Sequence, residues 1–287
     1  KSLLFVPQNK NQFTNFFFFL TEYWPKLFVQ NVMILENAKE LLPIWLRFVV
    51  WVVQTSDLPL NISREMLQSN TTLEKIKKSL TKKVIDSIEK QKENLENYDI
   101  FLSNYSNFLK EWVYYDVENK EKIASLLKFS TLLESKNITL DNYLEKENIK
   151  NDKKIYYILA KNKQEALSNP YIDQFRENNI DVLLFVDQID EWMVQSLPEY
   201  KEFKFVSITS TDVKLEKEDE INKEEKETEN REFKDLLELM KNIIWTDKLE
   251  KVQTTSRLWN TIWALVIPEG WMTPQMEKML KSMGQTI

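Results

Sequence analysis

The sequence contains no cysteine and no histidine, and it has only two glycines among 287 residues. The first two absences exclude disulfides, thiolate nucleophiles, Ser-His-Asp triads and most zinc sites. An average composition would supply about 20 glycines. A stand-alone hydrolase would therefore lack most of the usual catalytic side chains. A hydrolase that uses paired carboxylates is the least favoured function.

Long apolar runs are also missing. The two longest are residues 16–20 and 44–53, and Arg47 interrupts the second. Both are well short of the roughly 20 residues that span a bilayer. The opening KSLLFV is strand-like and has neither the basic region nor the apolar core of a secretory signal. We therefore expect a cytoplasmic protein that has no membrane partner.

Charge is concentrated in one segment. The formal net charge is −6, and residues 212–232 alone hold ten acids against five bases. The nearly neutral remainder predicts no nucleic-acid surface. We interpret residues 212–232 as a solvated linker that marks a domain boundary.

Hydrophobic periodicity predicts the elements before this linker. Strands are expected at 3–6 and 26–35. A helix is expected over 38–53, with an apolar face formed by Leu41, Leu42, Trp45, Phe48 and Val49. Further helices are predicted from residue 71 onward, at 95–112, at 118–133 and at 139–145, with Thr139 as N-cap. The lysines on one face of the helix after residue 71 (Lys75, Lys77, Lys78, Lys82 and Lys83) are interpreted as solvated.

A change of period after residue 153 predicts a parallel βαβ unit. KIYYILA is a strand, residues 163–178 form a helical crossover broken near Pro170, and DVLLFV (181–186) is the second strand. No glycine-rich phosphate loop follows Leu159, so we expect no nucleotide site there. A short helix with Trp192 pointing inward and a strand at 203–208 complete this part.

Three acidic residues follow the second of these strands. Asp187, Asp190 and Glu191 could form a metal cluster or could cap the next helix, and capping is the favoured interpretation. We therefore expect no metal site. Beyond the linker, the pattern predicts an amphipathic helix at 233–244, strands at 250–256 and 261–267, and a helix at 273–283.

One arginine lies in an unusual setting within LPLNISREMLQ (58–68). Pro59, Asn61 and Ser63 favour a loop that enters a helix at about residues 62–64. This places Arg64 in a first turn, where the helix dipole disfavours a cation. Arg64 is therefore either a solvated or surface-paired side chain, or it reaches an anion outside the helix.

The same stretch carries a family resemblance. LPLNISREMLQ resembles a segment of the middle domain of the heat shock protein 90 chaperones in their bacterial form. Further matches follow the family's order along essentially the whole chain: KSLLFVP (1–7), KLFVQNVMI (26–34), KIYYI (154–158), IDEWM (189–193) and MTPQMEKMLKSMGQ (272–285). We therefore expect a middle domain and the start of a C-terminal domain, with the nucleotide domain and the dimerisation helices outside these residues.

The resemblance implies an α/β fold followed by a partial α+β domain. We expect a large three-layer αβα part at 1–110 and a helical connector at 111–150. A second, small αβα unit is expected at 151–211, before the linker at 212–232. Residues 233–287 would begin a client-binding and dimerisation domain.

The resemblance also implies a function, an ATP-dependent molecular chaperone that binds unfolded or partly folded client proteins. Arg64 would contact the γ-phosphate of ATP held, with Mg²⁺, by the protein's own N-terminal domain, and Gln68 would support that contact. The full-length protein would be a homodimer, and residues 1–287 alone would bind no cofactor and hydrolyse no ATP. The alternative is a non-catalytic protein-binding scaffold of the same fold.

Two apolar groups are candidate client surfaces. A stripe at helical spacing could belong to the core or could bind varied partners, and it consists of Trp271, Met272, Met276, Met279, Leu280 and Met283. Phe16 and Phe17, in the run 16–19, could be a buried plug or an exposed client patch.

The sequence departs from the family pattern at several positions. Bulky or charged residues stand where the family usually has glycine, at Trp51, Trp112, Ala160 and Glu202. A side chain at such a position would be strained if the backbone needs a positive φ there. Asn31 replaces an arginine of the family, which weakens any role carried over to that position.

Overall fold

The fold comprises two units, seen in a computed structural model that describes residues 2–6, 26–38, 48–56, 71–210 and 233–243, and single residues at 41, 43, 46, 58, 213, 252 and 264. The first unit comprises Lys1–Lys128, Thr139–Asn142 and Gln188–Lys201. The second comprises Phe129–Ile138, Tyr143–Asp187 and Glu202–Ile287. Helices and sheets occur together, so the predicted mixed α/β class is confirmed.

The first sheet has the strand order β1-β4-β2-β3. Its strands are β1 (Ser2–Phe5), β2 (Lys26–Val29), β3 (Val32–Leu35) and β4 (Val50–Thr55). Strand β4 runs antiparallel to β1 and parallel to β2. The predicted single strand at 26–35 is instead a hairpin, because Gln30 and Asn31 form a turn with φ of 46° and 70°. Positive φ at both central residues is typical of two-residue hairpin turns, and asparagine tolerates it well.

The prediction of a helix at 38–53 is wrong. Backbone bonds from Leu41 to Ala38, from Leu46 to Pro43 and from Val49 to Leu46 link residues three apart, so the chain makes tight turns before entering β4. Of the predicted apolar face, Leu41, Phe48 and Val49 are nevertheless buried, and Leu42 and Trp45 lie outside the described residues. Leu46, which was not predicted, is buried as well. Branched residues in the following VWVV run favour a strand over a continued helix.

The helices predicted from residue 71 onward and at 95–112 are both present. Helix α1 (Thr71–Gln91) and helix α2 (Leu95–Tyr115) each bury one apolar face. Asn94 caps α2, its side-chain oxygen accepting a hydrogen bond from the backbone N–H of Asn97 at 3.3 Å. Phe48 packs against aromatic rings of α2 and lies 4.9 Å from Tyr105 between ring centroids. This aromatic cluster is part of the core of the first unit.

The helix predicted at 118–133 is wrong in its second half. Helix α3 (Lys120–Ala124) ends early, and β5 (Lys128–Thr131) begins a strand whose side chains alternate in burial. That alternation of period two favours a strand over a helix. The segment predicted as a helical connector therefore contains β5 and β6 (Ile138–Thr139). Helix α4 (Leu140–Leu144) follows as predicted, and the Thr139 hydroxyl accepts a hydrogen bond from the Asn142 N–H at 3.2 Å.

The second sheet has the order β6-β5-β8-β7-β10-β9. After helix α5 (Glu147–Asp152), β7 (Lys154–Leu159), β8 (Leu183–Phe185) and β10 (Phe203–Ser207) form parallel pairs with β7 at the centre. Helices α6 (Lys163–Leu167) and α7 (Ile172–Glu177) make the crossover between β7 and β8. Helix α8 (Gln188–Ser196) and the two-residue β9 (Glu199–Tyr200) precede β10. The predicted βαβ unit and its broken crossover are confirmed.

A buried carboxylate organises one end of the second unit. Asp181 accepts hydrogen bonds from the backbone N–H groups of Leu133 and Val182, at 2.9 and 3.0 Å, and from Lys146 Nζ at 2.6 Å. Partial burial alone would lower the pKa of Lys146, but hydrogen bonds with Asp181 and Glu134 outweigh it and raise that pKa. The network holds the loop after β5 against the start of β8.

The amphipathic helix predicted at 233–244 is present as α9 (Lys234–Ile243). Several of its large apolar residues are exposed: Phe233, which precedes it, and Leu236, Leu239 and Ile243. None of the ten residues of α9 is buried. The predicted linker at 212–232, apart from buried Val213, lies outside the described residues. So do the strands and the helix predicted after residue 249, except for the single residues 252 and 264.

The positions where the family usually has glycine differ in structure. Trp112 lies fully buried within α2, and Trp51 pairs with Leu4 inside β4, so neither occupies the turn that would strain it. Ala160 is not among the described residues that have a positive φ. Glu202 has φ of 68°, as the glycine pattern predicted. The expected backbone strain is therefore present at Glu202 and absent at Trp112.

We predict that Glu202→Gly raises the free energy of unfolding by about 1 kcal/mol, because a side chain in the left-handed region costs about that much. The substitution also removes an ion pair between Glu202 and Nζ of Lys153, 3.6 Å away. Both side chains are exposed, so this ion pair contributes little to stability. Urea unfolding measures the change. Glu202→Ala is the matched control, since it removes the charge and keeps the Cβ atom. Equal stability of the two variants would contradict the strain argument.

Candidate functional site

The residues proposed from sequence for function lie outside the described part of the chain. They are Arg64, Gln68, Phe16, Phe17, Trp271, Met272, Met276, Met279, Leu280 and Met283. The predicted helix entry at 62–64 lies outside it too. The candidate site is therefore built from the elements that flank Arg64 on both sides.

The segment with Arg64 leaves the first sheet at the carboxyl end of β4. Strand β4 ends at Thr55, and Leu58, three residues later, is buried. On the other side of Arg64, α1 begins at Thr71 and Leu73 is buried. Both flanks are thus held in the core of the first unit. Because β2 and β4 are parallel, their carboxyl ends meet at the same edge of the sheet.

This edge is closed by contacts with the β2–β3 turn. The backbone N–H of Gln30 donates to the carbonyl of Thr55 at 3.2 Å. The side-chain amide of Gln54 donates to the side-chain oxygen of Asn31. Asn31, where the family has an arginine, therefore does two things here: it adopts the left-handed turn and it links to β4. We call the Asn31–Gln54 hydrogen bond the amide clasp.

The lysine-rich face of α1 lies close to Arg64 in sequence and is open to solvent. Four of its five lysines are exposed and Lys77 is half-buried; the exposed ones are Lys75, Lys78, Lys82 and Lys83. The pair formed by Lys78 and Glu118 is 3.5 Å long between side chains about 70% exposed, and such pairs contribute little. The structure agrees with the interpretation of this face as solvated.

The acids after β8 are neither a metal cluster nor simple helix caps. Asp190 is 1% exposed, and its Oδ1 lies 2.6 Å from Nζ of Lys110, which is also buried. This ion pair joins α8 to α2 in the core of the first unit. Within the described ranges, no group of acidic side chains is arranged to hold a metal ion. Asp190 and Glu191 lie in the first turn of α8, where the helix dipole favours acids, and Asp190 forms a core ion pair in addition.

The turn after β7 offers little to a phosphate group. The N–H of Ala160 donates to the carbonyl of Phe185, the N–H of Lys161 to the Glu165 carboxylate, and the N–H of Glu165 to the Asn162 side chain. Three backbone donors of this turn are therefore already used, and Glu165 would repel a phosphate group.

An exposed aromatic patch, not predicted from sequence, lies where α2 ends. Tyr115 and Val117 are 61% and 76% exposed, and Tyr114 is also exposed. Trp192 of α8, predicted to point inward, is half-buried and meets the Tyr114 ring edge-on with centroids 5.7 Å apart. The Tyr-Tyr pair before Asp116 was the available signal, but helical periodicity did not separate it from the core. We call Tyr114, Tyr115, Val117 and Trp192 the aromatic patch.

Comparison with known proteins assigns the family. The model of the family described as Hsp90 protein matches residues 1–286. The chain belongs to the Hsp90 family. Chaperone protein HtpG of Buchnera aphidicola subsp. Baizongia pistaciae is 38% identical over 266 residues, 91% of this chain and 42% of that protein. The HtpG of Buchnera aphidicola subsp. Acyrthosiphon pisum is 40% identical over 269 residues, with the same shares covered.

A solved Hsp90-type structure supports the fold. The middle domain of a Plasmodium falciparum heat shock protein matches with a TM-score of 0.63 and 28% identity, over 72% of this chain and 81% of that one. The resemblance to the heat shock protein 90 chaperones found from LPLNISREMLQ and the other segments is thus confirmed. The chain spans 42% of the length of these two HtpG relatives.

One finding bears on membranes. Among the helices that the structure describes, none combines the length and the apolar character that a bilayer crossing requires.

Proposed function

We propose that this chain acts within an ATP-dependent molecular chaperone of the Hsp90 family, in which Arg64 contacts the γ-phosphate of ATP. The nucleotide and its Mg²⁺ would be held by an N-terminal domain of the same protein, and Gln68 would support the contact. ATP would supply the phosphoanhydride bond whose hydrolysis drives the chaperone cycle. The proposal rests on the segment LPLNISREMLQ, which occurs here in a chain of this family. The segment begins three residues after the end of β4.

The physical role of Arg64 follows from charge and anchoring. A guanidinium keeps its charge and presents planar donors to phosphate oxygens, so it can stabilise charge that develops during phosphoryl transfer. The buried Leu58 and Leu73 fix both flanks of its segment. Fixed flanks limit the conformations that the arginine must give up when it meets the nucleotide.

The proposed clients are unfolded or partly folded proteins that expose apolar side chains. Among described residues, the aromatic patch supports this part, because exposed clustered rings mark interaction surfaces. The stripe from Trp271 to Met283 and the pair Phe16 and Phe17 remain predicted client contacts. We further propose that the full-length protein is a cytoplasmic homodimer, as the relation to bacterial HtpG supports.

We predict that this chain stimulates ATP hydrolysis by the nucleotide domain of an Hsp90-type chaperone, and that Arg64→Ala reduces the stimulated rate at least tenfold. Arg64→Lys should restore little, because an ammonium group cannot make the paired contacts of a guanidinium. The rate is measured for the mixed domains with saturating chain, beside a thermal melt of each variant. Lys78→Ala, which alters an exposed lysine of α1, is the control and should leave the rate unchanged.

Two results would contradict the proposal. Stimulation that persists in folded Arg64→Ala would exclude the phosphate contact. Absence of stimulation by the folded parent chain would favour the non-catalytic protein-binding scaffold.

A further inference from the structure

We propose that the open edge of β3 pairs with an extended, apolar segment of an unfolded protein, which adds to the first sheet as a further strand. The inference rests on the proposed function, because an unfolded chain is the partner that offers such a segment. It goes beyond that function by naming a binding site within the described residues and the backbone groups that form it. The site shares no residue with the aromatic patch.

Strand β3 (Val32–Leu35) lies at the end of the first sheet, whose order is β1-β4-β2-β3. One side of β3 pairs with β2, and within the described ranges no strand pairs with its other side. An unpaired strand edge offers N–H and C=O groups to a further strand. Native proteins often block such an edge with lysine or proline. The sequence of β3, VMIL, contains neither.

The hairpin between β2 and β3 decides which backbone groups reach the open edge. Gln30 and Asn31 form its two-residue turn, and both have positive φ. The residues that flank such a turn, here Val29 and Val32, form a hydrogen-bonded pair. Bonded and non-bonded pairs alternate along antiparallel strands, so the next residue of β3, Met33, directs its N–H and C=O away from β2.

The hydrogen bond between the turn and β4 agrees with this direction. The N–H of Gln30 donates to the carbonyl of Thr55 in β4 at 3.2 Å. Backbone groups alternate in direction along a strand, so Phe28, two residues before Gln30, also faces β4. Met33 is the register partner of Phe28 in β3. Phe28 therefore turns its backbone groups away from Met33, and those of Met33 face the open edge.

The side chains of β3 make this edge apolar. Val32 and Met33 are 52% and 50% exposed, and Ile34 and Leu35 are half-buried. Met33 is paired with Phe28 of β2, which is also half-buried. A strand added at the edge would place every second side chain beside Met33. Apolar residues at alternate positions of the added segment therefore fit this edge best.

The length of β3 favours one extended segment over a second copy of the chain. Its four residues extend about 13 Å. An edge-to-edge pair of that length covers far less than the roughly 1,200 Å² of a stable interface. The pairing of β2 with β3 also shifts register between Leu27 and Phe28, which bends the edge beyond Met33. A short, bent edge opposes continued strand stacking and still accepts one segment with weak affinity.

One substitution removes the outward donor and keeps the hairpin. Met33→Pro deletes the N–H that faces the open edge, and an edge strand tolerates proline where its N–H faces solvent. Met33→Leu is the matched control, because it keeps the N–H and an apolar side chain of similar size. Thermal melts of both variants and of the parent chain show that the hairpin substitutions leave the chain folded.

Fluorescence anisotropy measures binding of a labelled peptide of alternating valine and threonine that carries a lysine at each end. Met33→Pro should weaken this binding at least fivefold, since the added strand loses an acceptor contact and meets the proline ring. Met33→Leu should stay within twofold of the parent chain. Equal binding by the parent chain and by folded Met33→Pro would overturn the proposal.

Two backbone-methylated peptides test the same contact on the parent chain and need no variant. One carries N-methyl groups on its valines and the other on its threonines, so each lacks the donors of one edge. One of the two should bind at least tenfold more weakly than the unmethylated peptide. Which one it is reports whether the added strand runs parallel or antiparallel to β3. Equal binding by all three peptides would contradict backbone pairing.

A reduced, carboxymethylated model protein, which stays unfolded, separates this inference from the proposed function. If the parent chain binds the unfolded protein but not the peptide, the open edge is not the site and the proposed function stands. If it binds neither, the client part of the proposed function fails together with the inference. A dimer of the parent chain that Met33→Pro converts to a monomer would make a second copy the occupant, against the proposal.

Discussion

Replacing Lys110 by methionine should lower the free energy of unfolding by about 3–5 kcal/mol, because it leaves the buried carboxylate of Asp190 without this cation. The two charged groups lie 2.6 Å apart, with side chains 6% and 1% exposed. Methionine fills most of the volume of the lysine stem, so lost packing adds little to the change. Urea unfolding of the parent chain and of Lys110→Met measures the difference.

The double variant Lys110→Met, Asp190→Leu separates charge from packing. A buried ion pair replaced by apolar residues of similar volume is often neutral or stabilising, so the double variant should recover most of the lost stability. Lys78→Met tests an exposed pair of the same unit and should change the stability by less than about 0.5 kcal/mol. A double variant as unstable as Lys110→Met would show that the pair contributes through geometry that apolar residues cannot replace.

The ion pair also bears on the proposed client surface. Helix α2 contributes Tyr114 and Tyr115 to the aromatic patch, and α8 contributes Trp192. Lys110 and Asp190 join these same two helices in the core beneath them. The pair therefore joins the two helices that carry the aromatic rings.

The sequence predicted the three parallel strands of the second sheet, β7, β8 and β10, because their signals were local, whereas β5, β6 and β9 were missed. The apolar runs at 154–159 and 183–185 are too short for helices, and the crossover between them has a break near Pro170. Region 38–53 failed because its apolar residues satisfy helical spacing and strand burial equally well. Only the tight turns around Pro43 and the pairing of β4 with β1 and β2 decide between them.

The candidate site was harder to predict because its contacts join distant residues. Asn31 and Gln54 are 23 residues apart, and no periodicity links them until the pairing of β2 with β4 is known. Lys110 and Asp190 are farther apart still, so the placement of Asp190 in a first turn was predictable but its buried ion pair was not. Arg64 was singled out through family resemblance, since charge and capping alone favoured a solvated or surface-paired role.

The four positions where the family usually has glycine show that the effect of a missing glycine can be judged only from the backbone conformation. Trp51, Trp112, Ala160 and Glu202 all stand where the family usually has glycine, yet only Glu202 has positive φ. A missing glycine therefore implies strain only where the backbone requires the left-handed region. At Trp112 the reverse should hold, and the substituted residue should be a main support of the fold.

Trp112→Gly should lower the free energy of unfolding by at least about 4 kcal/mol, in contrast to the gain expected for Glu202→Gly. Removing a fully buried tryptophan costs about 3–5 kcal/mol, and glycine inside a helix adds about 1 kcal/mol. Trp112 is 0% exposed, and its Nε1–H donates to the Asp116 carboxylate at 3.1 Å. That carboxylate also accepts from the backbone N–H of Asn119, so the tryptophan helps to order the turn that leads into α3.

Trp112→Phe is the milder control and should cost about 1–2 kcal/mol, because it keeps most of the buried apolar area and removes the Nε1–H donor. Urea unfolding followed by circular dichroism compares the two variants with the parent chain. If Trp112 instead occupied a turn that prefers glycine, Trp112→Gly would be as stable as the parent chain or more stable. That result would show that the end of α2 is assigned wrongly, and with it the position of Tyr114 and Tyr115 in the aromatic patch.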